Sequence, residues 1–130
     1  MKVFFDTNVW LSATLFSGLC SELITRCEDE NKILLTSALI REEALQVLTR
    51  KFPHRKDAAN LFDASWIKAQ LVADKIEPAN DNDARLVAAA ANAAADLFVT
   101  GDQRVLDWKT HGNMRVMSPR EAWEFLFASH

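Results

Sequence analysis

Short apolar runs alternate along the chain with longer stretches of helical spacing, and this alternation limits the folds that are available. Runs rich in strand-forming residues occupy positions 3–5, 33–35, 97–99 and 115–117. Strands that alternate with helices indicate a parallel sheet covered by helices on both faces. We therefore expect a three-layer α/β/α fold with a central parallel sheet of four or five strands. The 130 residues are enough for one domain with its own core, spanning residues 1–130.

The segments between these runs carry apolar residues three or four positions apart, which is typical of helices. Ser37 is expected to cap one helix, and Ser118 followed by Pro119 is expected to begin the last one. Residues 56–74 are predicted to form a helix that is either continuous or broken in two. The predicted helices begin near residues 19, 38, 56, 83 and 119.

Two aspartates follow predicted strands directly. Asp6 ends the run at 3–5, and Asp102 follows the run at 97–99 after a Thr-Gly turn. Because ligand sites of parallel sheets gather at the carboxyl ends of the strands, both acids are expected at one edge. Each acid also precedes a predicted helix, so that either one alone could act as a helix cap.

Two further acids stand out by their surroundings. Glu43 shares a helix face with apolar residues four positions before and after it, whereas Glu42 points about 100° away toward solvent. An acid on a packed face needs a partner or a cation. Asp83 begins the alanine-rich helix, and Asp81 precedes it; acids are common at helix starts, which explains one of this pair more easily than both.

Carboxylates that converge from several elements repel one another unless a cation neutralises them. Mg²⁺ and Mn²⁺ prefer oxygen ligands, can hold a phosphodiester and lower the pKa of a water molecule that attacks it. The net charge of −3 argues against a general polyanion-binding protein. It does not exclude a nucleic-acid substrate, because a bound cation reverses the local field.

The chain resembles PIN-domain ribonucleases and, among them, the VapC-like toxins of toxin–antitoxin systems. The resemblance rests on the order and spacing of FFDTNVWLSATL, TSALIREEALQVL, NDNDARLVAAAANAAADLFVTGDQRVL and VMSPREAWEFL. It implies an α/β/α enzyme that uses Mg²⁺ or Mn²⁺ to cleave single-stranded RNA, leaving a 3′ hydroxyl and a 5′ phosphate. It also implies an antitoxin partner and a homodimer.

Carried over position by position, the resemblance assigns both catalysis and metal binding to four acids: Asp6, Glu43, Asp83 and Asp102. Asn8 and Thr100 are expected to orient the groups around the metal, and Asp81 is a candidate additional ligand. Arg104 stands where relatives often carry an acid, so it is expected to contact RNA phosphate or to weaken a second metal site. We expect one firmly bound cation and leave a second open.

Three other residues are candidates for RNA contact. Arg50 and Lys51 belong to the only dense basic run, residues 50–56, which could equally be a solvated connection between helices. Trp10 follows the first acid motif and could stack on a base.

The two cysteines are expected to be reduced thiols of a cytoplasmic protein, and no apolar run is long enough to span a membrane. Two other functions stay open. One is an aspartate-nucleophile phosphohydrolase, although Asn8 stands where that chemistry wants a second acid. The other is a non-catalytic PIN-like interaction module.

Overall fold

The structure is a computed structural model that describes residues 1–128. The strands are β1 (Lys2–Phe5), β2 (Ile33–Ser37), β3 (Gln70–Val72), β4 (Leu97–Val99), β5 (Thr110–His111) and β6 (Met114–Met117). The helices are α1 (Thr7–Leu15), α2 (Leu19–Asp29), α3 (Ala38–Lys51), α4 (Ala58–Trp66), α5 (Asn82–Asn92), α6 (Gln103–Leu106) and α7 (Pro119–Phe127).

The strands form one sheet in the order β3-β2-β1-β4-β6-β5. Neighbouring strands are parallel except for β5, which runs antiparallel to β6. The prediction of an α/β/α fold around a parallel sheet is confirmed, with five parallel strands. The short sixth strand, β5, was not predicted.

The direction in which the sheet grows reverses at β1. The chain adds β2 and β3 on one side of β1 and then returns to its other side for β4. At such a reversal, the connections that leave neighbouring strands diverge and open a crevice at the carboxyl ends. The residues that follow β1 and β4 therefore lie at the place where a site is expected.

Aromatic packing fixes β1 against β4. Phe4 and Phe98 are register partners whose rings stack with centroids 5.4 Å apart. Phe5 meets the edge of Trp10 at 5.8 Å, and all four side chains are buried. Burying a side chain of this size contributes roughly 2–3 kcal/mol, so the core holds the ends of β1 and β4 in a fixed relation.

One predicted helix is partly wrong. Residues 56–74 form α4 only as far as Trp66, and residues 70–72 form β3, the edge strand beside β2. The Trp66 indole N–H donates to Thr36 Oγ1 at 2.6 Å, which ties the end of α4 to β2. The apolar run after Trp66 is too short to show a period, so only its pairing with β2 decides its conformation.

The two predicted helix caps have different outcomes. Ser118 caps α7 as predicted, in a reciprocal capping box with Glu121. Ser37 stands at the N-cap position of α3, as predicted, but its buried hydroxyl makes no capping hydrogen bond. Asp74 instead accepts a hydrogen bond from the Leu39 N–H at 3.3 Å.

Among residues 1–128, none of the helices is long and apolar enough to cross a membrane.

Candidate active site

Asp6 lies at the carboxyl end of β1 and is only 7% exposed. Its Oδ1 accepts a hydrogen bond from the Thr7 N–H at 2.8 Å, and its Oδ2 accepts one from Thr100 Oγ1 at 2.7 Å. Continuing the strand registers places Thr100 on one side of Asp6 and Ser37 on the other. Three polar residues thus stand side by side where three parallel strands end.

Glu43 reaches the same edge from the second turn of α3. Its Oε1 accepts a hydrogen bond from Thr7 Oγ1 at 2.6 Å, and its Oε2 accepts one from Asn82 Nδ2 at 3.2 Å. Thr7 therefore bonds to Asp6 through its backbone and to Glu43 through its side chain. Glu42 is exposed, as predicted.

The start of α5 contributes Asp81 and Asp83. Asp81 caps the helix through the Ala84 N–H at 3.1 Å. Its Oδ2 lies 2.5 Å from Arg104 Nη2, and Asp83 Oδ2 lies 3.2 Å from Arg104 Nη1. Both acids are thus bound to a cation that belongs to the chain itself.

Asp102 follows β4, as predicted, and is exposed. Its Oδ1 accepts a hydrogen bond from the Arg104 N–H at 2.9 Å, and its own N–H donates to Thr100 Oγ1 at 3.0 Å. It therefore also caps the short helix α6, and the Thr100 hydroxyl connects it to Asp6.

The acids influence one another electrically. The pKa of Asp6 is raised from 3.8 to about 6, mainly by burial. The charges of Asp83 and Glu43 also raise this pKa, whereas the two hydrogen bonds that Asp6 accepts lower it. Burial and the charge of Asp102 raise the pKa of Asp83. The hydrogen bonds from Arg104 hold the pKa of Asp81 below its ordinary value. We call this set the acidic cluster; its members are Asp6, Glu43, Asp81, Asp83 and Asp102.

The acidic cluster suits a hard divalent cation in its chemistry, because all of its donors are carboxylate oxygens. Asp6 is buried without a cationic partner among residues 1–128, and the Ser37 hydroxyl beside it is buried without a hydrogen bond. Within that same range, no three ligand-type side chains lie close enough together to form a ready-made metal site. The residue types fit a metal, and the side chains would have to converge to bind it.

The other predicted site residues lie elsewhere. The prediction that Trp10 contacts RNA is wrong, because its side chain is 0% exposed and packs on Phe5 inside the core. Asn8 is exposed on α1 and makes no side-chain hydrogen bond within residues 1–128, so its orienting role stays a prediction. Arg50 and Lys51 are exposed at the far end of α3, roughly 10 Å further along the helix axis than Glu43. The structure does not bring them to the acidic cluster.

Three residues of the site were missed. Thr7 and Asn82 hold Glu43, and the Trp108 ring lies 5.0 Å from the Arg104 guanidinium. Thr7 directly follows Asp6, and Asn82 lies between Asp81 and Asp83, so adjacency to an acid was the available signal. No sequence pattern indicated Trp108.

An acid-lined strand edge at the reversal point of a parallel sheet defines an α/β protein suited to phosphoryl chemistry. Comparison with protein families matches residues 2–104 to the PIN domain. The chain belongs to the PIN domain family, whose members are typically metal-dependent nucleases that act on RNA. No curated protein and no solved structure matches the chain.

Proposed function

We propose that this protein is an endoribonuclease that uses Mg²⁺ or Mn²⁺ to hydrolyse phosphodiester bonds of single-stranded RNA. The observation that carries the proposal is the buried carboxylate of Asp6, which has no cationic partner among residues 1–128 and feels the charges of Asp83 and Glu43. Burying an ionised carboxylate without a partner is costly, and a ligand cation would remove that cost.

The roles of the residues follow from their positions. Asp6, Glu43, Asp83 and Asp102 would hold the metal, which when bound supplies positive charge to the phosphate and lowers the pKa of a water molecule. Thr7 and Thr100 fix the Asp6 carboxylate through hydrogen bonds to its two oxygens. Such outer partners hold the ligands in place before the substrate arrives.

The non-catalytic alternative has one observation in its favour. Arg104 already neutralises part of the acidic cluster through Asp81 and Asp83, which is compatible with a site that binds no metal. Against this alternative, Arg104 does not pair with Asp6, whose carboxylate stays buried without a cation among residues 1–128. In a purely structural protein, such a carboxylate would lower stability without any benefit. The phosphohydrolase alternative gains no support, because Asn8, which stands where that chemistry wants a second acid, faces solvent.

A cleavage assay tests the proposal. Fluorescently labelled single-stranded RNA is incubated with the purified protein in Mn²⁺, in Mg²⁺ and in EDTA, and the product ends are identified. We expect metal-dependent cleavage that leaves 5′ phosphates and is lost in Asp6→Asn. Cleavage that persists in EDTA, or at full rate in Asp6→Asn, would refute the proposed site. Cleavage by neither metal would favour the interaction module.

We further propose that the protein is the toxin of a toxin–antitoxin pair, forms a homodimer and acts in the cytoplasm. Apolar surface that a protein partner would cover supports the interactions: Ile67, Leu71 and Ile76, on and beside the edge strand β3, are 76%, 60% and 73% exposed. Induced expression should arrest bacterial growth for the wild type but not for Asp6→Asn. A monomer in light scattering at micromolar concentration would contradict the homodimer.

A further inference from the structure

Arg104 is embedded in the acidic cluster. Its Nη1 lies 3.2 Å from Asp81 Oδ1 and 3.2 Å from Asp83 Oδ2, and its Nη2 lies 2.5 Å from Asp81 Oδ2. Its backbone N–H donates to Asp102. A single arginine thus contacts three of the five acids.

The surroundings hold the guanidinium in this place. Trp108 presents its ring 5.0 Å from the guanidinium carbon, a favourable cation–π distance. Asp81 meets the guanidinium with both carboxylate oxygens, a bidentate geometry that fixes direction as well as distance.

Asp81 is therefore committed to other partners. Its Oδ1 accepts hydrogen bonds from the Ala84 N–H and from Arg104, and its Oδ2 accepts a third. The predicted role of Asp81 as an additional metal ligand conflicts with these bonds. Its observed role is to cap α5 and to anchor the guanidinium.

A second divalent ion would meet two obstacles beside Arg104. Arg104 already pairs with both oxygens of Asp81 and with one oxygen of Asp83, so that only the other Asp83 oxygen is left for a metal. A second ion would also face the like charge of the guanidinium at close range. The guanidinium itself keeps unused donors, because Nε and one N–H of Nη2 have no acceptor among residues 1–128. Its side chain is 53% exposed, so a phosphate oxygen can reach these donors.

We propose that Arg104 is the built-in second cation of the acidic cluster. It takes the place of a second divalent ion, limits the site to one ion per chain and binds a non-bridging phosphate oxygen of the RNA. This inference rests on the proposed nuclease function and specifies how the positive charge of that site is divided.

Calorimetric titration with Mn²⁺ tests the division of charge. We expect one ion per wild-type chain, one ion bound roughly tenfold more tightly by Arg104→Gln, and two ions by Arg104→Asp. Arg41→Gln is the matched control, because Arg41 forms a similarly exposed bidentate pair with Asp63 at 2.8 and 3.0 Å and makes no hydrogen bond or ion pair with the acidic cluster among residues 1–128. The control should bind Mn²⁺ like the wild type.

The outcomes separate the two proposals. Two ions per wild-type chain, or equal Mn²⁺ affinity in wild type and Arg104→Gln, would overturn the role of Arg104 and leave the nuclease proposal standing. Binding by Arg104→Gln alone would overturn this inference, because the wild-type chain would then bind no ion that Arg104 could accompany. No binding by any variant would refute the metal site and, with it, this inference. Because Arg104→Asp is the variant that risks misfolding, Arg104→Gln decides the result if circular dichroism shows that Arg104→Asp is unfolded.

Fluorescence anisotropy with a labelled single-stranded oligoribonucleotide in EDTA tests the phosphate contact. Arg104→Gln should weaken binding and reduce the slope of log Kd against log salt by about one, whereas Arg104→Lys should keep most of the slope. Arg41→Gln again serves as the control. An unchanged slope in Arg104→Gln would exclude the phosphate contact.

Discussion

Replacing Asp6 by Asn should stabilise the metal-free protein at neutral pH while abolishing RNA cleavage. Asparagine can keep both contacts, with the direction of one reversed. Its amide oxygen can accept from the Thr7 N–H, and its amide N–H can donate to the Thr100 hydroxyl oxygen, which donates to Asp6 in the wild type and keeps one free lone pair. The substitution removes a buried negative charge and its repulsion from Asp83 and Glu43.

The magnitude follows from the raised pKa of Asp6. Its folded-state pKa of about 6 exceeds the ordinary value of 3.8. At about 1.4 kcal/mol for each tenfold change in proton affinity, ionising Asp6 costs the folded state on the order of 3 kcal/mol. The folded state binds this proton more tightly than the unfolded state, so stability falls as pH rises from about 4 to about 6 and stays lower above that range.

Urea unfolding in EDTA, followed by tryptophan fluorescence, measures this effect at pH 4 and pH 7.5. We expect wild type and Asp6→Asn to differ little at pH 4. At pH 7.5 the variant should be more stable by up to about 3 kcal/mol, or roughly 10 °C in Tm. Excess Mn²⁺ should stabilise the wild type and not the variant, since only a protein that binds the ion gains free energy from it.

Asp29→Asn is the control, because Asp29 is exposed at the end of α2, where a charge change should alter stability by under about 0.5 kcal/mol. If Asp6→Asn shows the same difference from wild type at both pH values, ionised Asp6 is not destabilising. The reasoning from burial would then be wrong.

Three further predictions use the same assays. Thr7→Val should lower the cleavage rate, because it removes the 2.6 Å hydrogen bond to Glu43, whereas Thr7→Ser should retain most activity. Equal cleavage rates in the two variants would count against the role of Thr7. Trp10→Phe should leave RNA affinity unchanged in anisotropy measurements, because the ring is buried, and should lower stability by about 1–2 kcal/mol through the cavity that it leaves. A clear loss of RNA affinity would restore Trp10 as a contact. Ser118→Ala should cost about 1 kcal/mol in urea unfolding through loss of the α7 cap, with cleavage unaffected.

Topology made part of the site predictable. Parallel strands end at one edge, so the positions of Asp6 and Asp102 followed from finding the strands that precede them. The placement of Trp10 was also within reach of sequence reasoning: Trp10 lies four residues after the buried Asp6 and so on the same inward side of α1. Asn8 comes two residues after Asp6, which corresponds to a rotation of about 200° around the helix axis, and its side chain faces solvent.

The contacts that complete the site depend on how helices from distant parts of the chain pack together. Thr7 and Glu43 are 36 residues apart, and Asn82 reaches Glu43 across 39 residues. No local pattern encodes such pairs, because they depend on the orientation of α3 and α5 over the sheet. The ion pairs of Arg104 belong to the same class, and so does the strand β3, which only its pairing with β2 defines.

The comparison of Glu43→Gln with Glu42→Gln tests most directly whether the acidic cluster cleaves RNA. The two glutamates are neighbours in α3, yet only Glu43 contacts Thr7 and Asn82, while Glu42 faces solvent. Initial rates on labelled single-stranded RNA in saturating Mn²⁺ should fall at least about a hundredfold in Glu43→Gln and stay at the wild-type level in Glu42→Gln. Equal rates in the two variants would contradict a catalytic centre at this edge of the sheet.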